Sequence, residues 1–546
     1  MKVNEKTLRW LFLAIITVSF IVNYAAIVDT KLDVNGDNYM YYLLAHSLST
    51  GQGYVSDIGP EPAPHTHFPP GYPVFLSLFL RIFPNNIVAL KLLNGLLFLA
   101  SLFLLFRIVR KTTGKYGLWY ALAACLLCTF QADLLRWTTI LMSEMLYMTI
   151  SFGIIALCLD LDLDAVRRKD CWHIVRLAGI CLLVVCAYFV RTMGISVILA
   201  VTLAFLVLAV KGLARRKSEG RRWLMPLLAA GLVLASFFIA KGCWDHRNQR
   251  VSPGYQSDYR AFFTPPAEDD GDPVSAKDFW VSRIANNSIF FIGYYIPYSV
   301  LNPEKSLLSP TSASKDDLSW VLGILVIALI VVGFLSMEGL QWLLLGYVLI
   351  TFGVLVLYPT GYTNTRYFVP LIPLMTAAFV VGAGQVVGWL VRKLFHRDLS
   401  WLSPLVAMLL LLPLLPVYYQ SQALYRKTAG IKSYAAVPQM APFQAYIDAC
   451  EACRNFQQDR LTAVLKPELF YVHSGFHHSV AIPRDGTPEE ALSFLENNKV
   501  DVVIVDTWFP SAYRIILPAV ERYPERFSLL GSTGDRAKPT LILGFR

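Results

Sequence analysis

Three aspartates, Asp29, Asp33 and Asp37, follow one another closely after the first apolar run of the chain. A carboxylate held near a membrane surface can take the proton of a hydroxyl as that hydroxyl attacks, which is general-base chemistry. Asp37 is the candidate catalytic residue because it stands where the apolar and aromatic run 39–48 begins, at an expected helix start. Its purely structural reading is a helix N-cap, a position aspartate fills well. Asp29 and Asp33 are its rivals, being closer to the end of the first run. Arg136, Arg191, Arg247 and Arg366 all fall at ends of apolar runs, as does Lys91. A guanidinium offers a planar fork suited to phosphate oxygens; otherwise such a residue snorkels to headgroups or forms an ion pair. Glu144 lies just inside an apolar run, where an ionised carboxylate is costly unless paired or hydrated, so it belongs either to a site or to an ion pair with one of these arginines. His67, with or without Asp37, could ligate a metal. Two loop histidines two apart, His65 and His67, are more often solvated, so no metal or other cofactor is expected, a divalent ion being the one alternative. His473, His477 and His478 show no ligand spacing with a third residue.

The elements that must position these residues are membrane helices. The chain has 546 residues, 55% hydrophobic and 16% charged, with mean hydropathy +0.49, too apolar for an ordinary soluble protein. Roughly 20 apolar residues cross a bilayer core. About eleven such runs are present, near 8–28, 87–109, 116–130, 140–161, 175–189, 194–210, 223–243, 318–335, 340–358, 368–390 and 401–418. The third and fifth are short. The first is longer than a signal-peptide core and is expected to be a retained anchor. Lys2, Lys6 and Arg9 before it place the N-terminus in the cytoplasm, and alternation then puts the basic runs at 107–111, 166–170, 214–222 and 391–397 inside as well. These runs account for the net charge of +10 and argue against nucleic-acid binding. Three larger segments, 29–86, 244–317 and 419–546, then lie outside.

The domain organisation that follows is a transmembrane part, 1–418, with outer loops 29–86 and 244–317, and a small extracytoplasmic α/β domain, 419–546. The last domain is read from the strand-like runs LTAVL, SVAIP, DVVIVD and PTLILGF, separated by helical stretches. Its middle helix opens on a capping box, Thr487-Pro488-Glu489-Glu490. No glycine-rich phosphate loop follows any of these strands. Cys450 and Cys453 form the one C-x-x-C, to be read as a local disulfide or as two free thiols. The acidic loop 267–273 lacks the glutamate of a calcium loop and is expected to be solvated.

In the first outer segment Asp37 is followed by Tyr41, Ala45, Gly51 and Pro69-Pro70; further on come LMSEMLY (141–147), FVRTMG (189–194) and YPTGYTNTRYFVPLIP (358–373). In that order and placement these motifs resemble the polytopic glycosyltransferases of the GT-C fold, in particular the branch of protein O-mannosyltransferases and aminoarabinose transferases. The resemblance covers most of the membrane part and is poorest in the middle outer loop and the last domain. It departs at Asn38, where many relatives carry a second acid.

The resemblance implies a GT-C-like α-helical integral membrane protein that transfers a sugar from a polyprenyl-phosphate carrier to a lipid-glycan or protein acceptor on the extracytoplasmic face. The phosphate is already a good leaving group, so one carboxylate, Asp37, suffices as base, and the anomeric centre is expected to invert. Tyr41, His67, Arg136, Glu144, Arg191, Arg247, Arg366 and Tyr367 are the expected substrate-binding residues. The expected setting is a bacterial inner membrane, with an endoplasmic-reticulum membrane offering the same topology, and membrane lipids as further partners. A transporter or flippase of lipid-linked glycans is the alternative. It calls for ionisable residues deep in several helices and an internal repeat, and neither is evident in the sequence.

Overall fold

The structure is a computed structural model that describes residues 4–33, 36–215, 220–253, 255, 276–301, 317–358, 365–395, 402–423, 426 and 440–546. The acidic loop 267–273 lies outside the described residues. The chain forms two compact units: Met1–Ile27, Leu92–Thr139 and Ser143–Arg426 in the first, and Val28–Lys91, Ile140–Met142 and Lys427–Arg546 in the second.

The first unit is helical, and every apolar run of the sequence forms a helix. Among the described residues six helices are long and apolar enough to cross a membrane: Glu5–Ala25, Ile87–Thr112, Cys171–Val190, Thr192–Ala214, Leu224–Val251 and Arg366–Leu394. The helices Gly114–Phe130 and Ala132–Thr138, bent by 65°, would make a seventh span if taken together. Glu144–Leu159, Val321–Leu335 and Gln341–Val356 are shorter apolar helices. The fifth expected run is longer than its apolar core suggested, because Asp170 caps it from outside by accepting from the Trp172 and His173 amides.

The bend at residue 131 has an identifiable cause. Gln131 is extended (φ −67°, ψ 121°), which interrupts the helical ladder, and its side chain takes over the lost bonding. Its Oε1 accepts from Leu134 N at 2.7 Å and its Nε2 donates to Ser299 O at 3.2 Å. Elsewhere, glycine permits the closest approach of helix backbones. A Cβ on Gly382 would fall 1.9 Å from Leu329 O, and one on Gly333 would fall 1.8 Å from Ala378 O, so these helices meet backbone to backbone. Buried hydroxyls bind the interior as well: Tyr347 Oη donates to Tyr147 Oη at 3.1 Å, and Tyr147 Oη to Met193 O at 3.2 Å.

The second unit holds most of the regular β-structure. In Val28–Lys91, a helix Gly36–Ser49 is followed by the short antiparallel pair β1 (Val55–Ser56) and β2 (Ala63–Pro64) and a helix Gly71–Leu80. The last domain has a five-stranded sheet in the order β4-β3-β5-β7-β6, with β3 Thr462–Val464, β4 Ser479–Ala481, β5 Val502–Val505, β6 Phe527–Thr533 and β7 Thr540–Phe545. β3 pairs in parallel with β4 and β5, while β7 is antiparallel to β5 and β6. The four expected strands are present, the capping box forms as read, and β6 is additional. Its residues show no apolar alternation, because the strand is half exposed and its register shifts between Leu529 and Gly531.

Ile515, Ile516 and Ala519 from the helix Pro510–Arg522, with Ala491 and Leu495 from Pro488–Asn497, bury the sheet core around Val503, Val505 and Leu543. Within this unit the sheet also meets residues of Val28–Lys91. Ser479 N on edge strand β4 donates to Ile58 O at 2.9 Å, and Tyr471 Oη donates to Asp57 Oδ2 at 3.0 Å. The edge of the sheet is thereby covered. Cys450 and Cys453 are buried free thiols.

Candidate active site

Candidate residues occur in both units. In the second unit, Asp37 is the second residue of the Gly36–Ser49 helix, in its first turn and partly exposed. A carboxylate there is favoured by the helix dipole, and the placement differs from the cap position weighed above. Asn38, fully buried, donates from Nδ2 to Asp33 O at 2.9 Å. The residue after Asp37 therefore ties the incoming chain to the helix. Asp29 is engaged by Lys91 Nζ at 2.5 Å and Lys31 Nζ at 3.5 Å. Asp29 thus faces two cations.

Tyr41 is buried, its ring 4.9 Å from Phe68 and perpendicular to Tyr72 at 5.2 Å. His67 is exposed on the loop, and His65 Nε2 accepts from Phe68 N at 2.9 Å. Among the described residues no group of three or more His, Cys, Asp or Glu is placed to hold a metal ion.

Sequence reasoning missed Glu468. It belongs to the helix Pro467–His473, directly after β3, at the carboxyl end of a parallel strand where α/β sheets commonly place functional groups. A Cβ on Gly36 would lie 2.6 Å from Glu468 Oε1, so glycine at the start of the helix lets this carboxyl group come against the backbone beside Asp37. Burial pushes the Glu468 carboxyl above the usual carboxylate range, and the charge of Asp37 adds to the shift. A second link joins the same helices: Tyr39 Oη and His473 Nε2 are 2.9 Å apart.

In the first unit, Glu144 opens the helix Glu144–Leu159 and Arg191 follows the helix Cys171–Val190. Their side chains are 0% and 8% exposed and meet at 2.6 Å through Arg191 Nη1 and Glu144 Oε1. The same Nη1 donates to Ser143 Oγ at 3.2 Å. Gly194 is needed in this turn, because a Cβ would lie 2.6 Å from Ala187 O. Tyr367, in the 3₁₀ stretch Thr365–Leu371, lies between two cations: the Arg191 guanidinium is 4.8 Å and that of Arg366 5.1 Å from its ring centre. Arg366 Nη2 also donates to Tyr367 Oη at 3.3 Å.

The structure thus brings together Glu144, Arg191, Arg366 and Tyr367, from three separate motifs. Guanidinium groups of this kind offer the planar donor fork that suits phosphate oxygens. Arg136 is exposed and lies over Trp137 at 5.7 Å, and Arg247 lies over Trp244 at 5.1 Å and donates to Asn248 Oδ1.

No family model matches the chain, and no curated protein matches it by sequence. Solved structures do match. The oligosaccharyltransferase of Archaeoglobus fulgidus, solved with a tethered acceptor peptide containing the NVT sequon, overlays with TM-score 0.57 at 12% identity, over 98% of this chain and 74% of that one. ArnT from Cupriavidus metallidurans overlays in the apo state with TM-score 0.54 at 14% identity, over 98% of this chain and 97% of ArnT. ArnT bound to undecaprenyl phosphate overlays with TM-score 0.54 at 11% identity, over 99% and 98% of the two chains. The chain has the fold of these GT-C membrane proteins.

Proposed function

We propose that the chain is a glycosyltransferase of the membrane that moves a sugar from a polyprenyl-phosphate carrier to a glycan or protein acceptor on the extracytoplasmic face. The observation that carries this reading is the end-to-end likeness to ArnT, including the form bound to undecaprenyl phosphate, over nearly the whole of both chains. The second support is the pair Arg191 and Arg366 about Tyr367, a cationic group of the kind a departing phosphate requires.

In the reaction, Asp37 accepts the proton of the acceptor hydroxyl as its oxygen bonds to the anomeric carbon. The bond from that carbon to the phosphate oxygen breaks, the electron pair leaves with the polyprenyl phosphate, and the anomeric centre inverts. Arg191 and Arg366 hold the charge gained by the phosphate. Eleven crossings, a cytoplasmic N-terminus and a periplasmic last domain in a bacterial inner membrane complete the proposal, supported by the basic runs that alternate with the apolar ones.

The test is mass spectrometry of glycolipids and glycoproteins from a deletion strain complemented with wild type or Asp37→Asn. The expected result is a sugar lost on deletion, restored by wild type and absent with Asp37→Asn. Equal restoration by both would remove Asp37 from the chemistry.

A further inference from the structure

The second unit contains a cavity of about 550 Å³ with Tyr42 and Asn85 on one part of its wall and Gln444, Arg454, His473 and Phe476 on another, and neither the base nor the phosphate seat proposed above uses it. Its volume is in the range of small-molecule sites, roughly 300–1,000 Å³. We propose that it is a saccharide subsite that holds the glycan portion of the acceptor; this rests on the transferase reading and names the substrate class.

Three features of the wall argue for it. The first is its chemistry. The wall carries the amides of Asn85 and Gln444, the Glu451 carboxylate, the cations of Lys31 and Arg454, and the rings of Tyr42 and Phe476, held in place by bonds such as Tyr42 Oη donating to Asn85 Oδ1 at 3.2 Å and Gln444 Nε2 donating to Asp448 Oδ1 at 2.7 Å. Sugar hydroxyls both donate and accept, and their C–H faces lie against aromatic rings. A lone ion would not fill the space. No strand of the unit contributes to the wall, so it offers no sheet edge for an extended peptide to pair with.

The second feature is backbone strain. Among the described residues four that are not glycine have positive φ, and two of them, Asn85 at 54° and Phe476 at 70°, line this cavity. Asparagine tolerates that region, but phenylalanine does not. Phe476 is held there by stacking on His46 at 4.9 Å and by an edge contact with Tyr471 at 5.3 Å. Strain maintained by its surroundings is characteristic of binding sites.

The third feature is connection. Arg454 Nε donates to His473 O at 2.7 Å, and the other side of His473 meets Tyr39 Oη at 2.9 Å. Tyr39 stands two residues beyond Asp37 on the same helix. A glycan seated against Arg454 and His473 would therefore be held by the wall that also anchors the candidate base.

The test uses the full-length protein in detergent, with saturation-transfer NMR on lactose and N,N′-diacetylchitobiose as probes and the tripeptide Gly-Ser-Gly as the competing class. Wild type is expected to saturate the disaccharides. Gln444→Ala/Arg454→Ala should weaken that binding by about tenfold or more, the scale of losing one charged and one neutral hydrogen bond, in a variant shown to be folded by its monodisperse elution and unchanged helix content. In a transfer assay the same variant should raise the acceptor KM by a similar factor, with kcat and donor KM within twofold. Disaccharide signals equal in wild type and variant, absent from both, or displaced by the tripeptide would overturn the subsite. Failure of wild type to transfer from any lipid-linked donor would instead overturn the transferase reading, while the binding comparison still decides the subsite.

Discussion

Replacing Glu144 by glutamine tests whether the Arg191–Glu144 pair is a compensated buried charge. Its groups are 8% and 0% exposed and 2.6 Å apart. At an effective dielectric of about 20 the direct attraction is about 6 kcal/mol, and most of it offsets the desolvation of the two ions. Glu144→Gln preserves the shape but leaves the Arg191 charge with a neutral neighbour, so the expected loss is about 3–5 kcal/mol. Glu144→Gln/Arg191→Met removes both charges and should recover all but about 1–2 kcal/mol. Thermal unfolding of the detergent-solubilised protein, followed by the loss of its monodisperse peak, reads both variants. The single variant should melt several degrees lower and the double variant close to wild type. If Arg191 also serves the leaving phosphate, the double variant will be stable and inactive. A single variant that melts with wild type would refute the electrostatic argument, and a stable, fully active double variant would remove Arg191 from the phosphate seat.

Gly382→Ala would place a methyl group 1.9 Å from Leu329 O, against backbone that cannot move aside, so the loss should exceed the 1–3 kcal/mol of ordinary overpacking; a melting temperature equal to wild type would contradict the close helix contact. Burial raises the Asp506 carboxyl from 3.8 to about 7. The fold then keeps a proton that the unfolded chain has lost, so stability should fall by a few kcal/mol as pH rises from about 4 to 7 and level off above. Unfolding of Asp506→Asn across that range should be clearly shallower, keeping only the slope of other buried carboxyls such as Glu468, and a slope matching wild type would show that Asp506 is not its source. Gly36→Ala brings a Cβ to 2.6 Å from Glu468 Oε1, and its flexible end can swing away. Melting should change by less than about 1 kcal/mol while transfer falls severalfold, and unchanged transfer would mean that Glu468 has no influence on Asp37.

Much of this was legible in the sequence because it depends on local chemistry. Apolar runs bounded by charge form helices wherever they lie, and the capping box at Thr487 closes on its own residues. Glu144 was readable as belonging to a site or to an ion pair with one of the arginines, because a carboxylate near the start of an apolar helix demands compensation; that the partner is Arg191 appears only in the fold. Their shared neighbour Tyr367 was expected at the site through family resemblance, and its place between two guanidiniums appears only once the chain is folded. Glu468 and the cavity around His473 escaped notice for a different reason. Their partners Gly36 and Tyr39 are more than four hundred positions away, and neither periodicity nor spacing reports such contacts. The bend at Gln131 was missed as well, because glutamine in an apolar helix carries no breaker signal, and its bonds to Leu134 N and Ser299 O are made only in the folded chain.

The second unit is built from the beginning and the end of the chain, Val28–Lys91 and Lys427–Arg546, with only Ile140–Met142 from between. Roughly 340 residues separate the two pieces, and at about 5–20 residues per second they are synthesised some 15–70 seconds apart. For that interval the helix that begins with Gly36 and Asp37 has neither Glu468 nor His473 beside it, and Ile58 O waits for the edge strand it will cover. Synthesis of the last segment thereby becomes a checkpoint. An interrupted chain can insert its apolar helices but cannot assemble the surroundings of its candidate base, so truncated copies should be inert, and their unpartnered outer segment marks them for proteolysis.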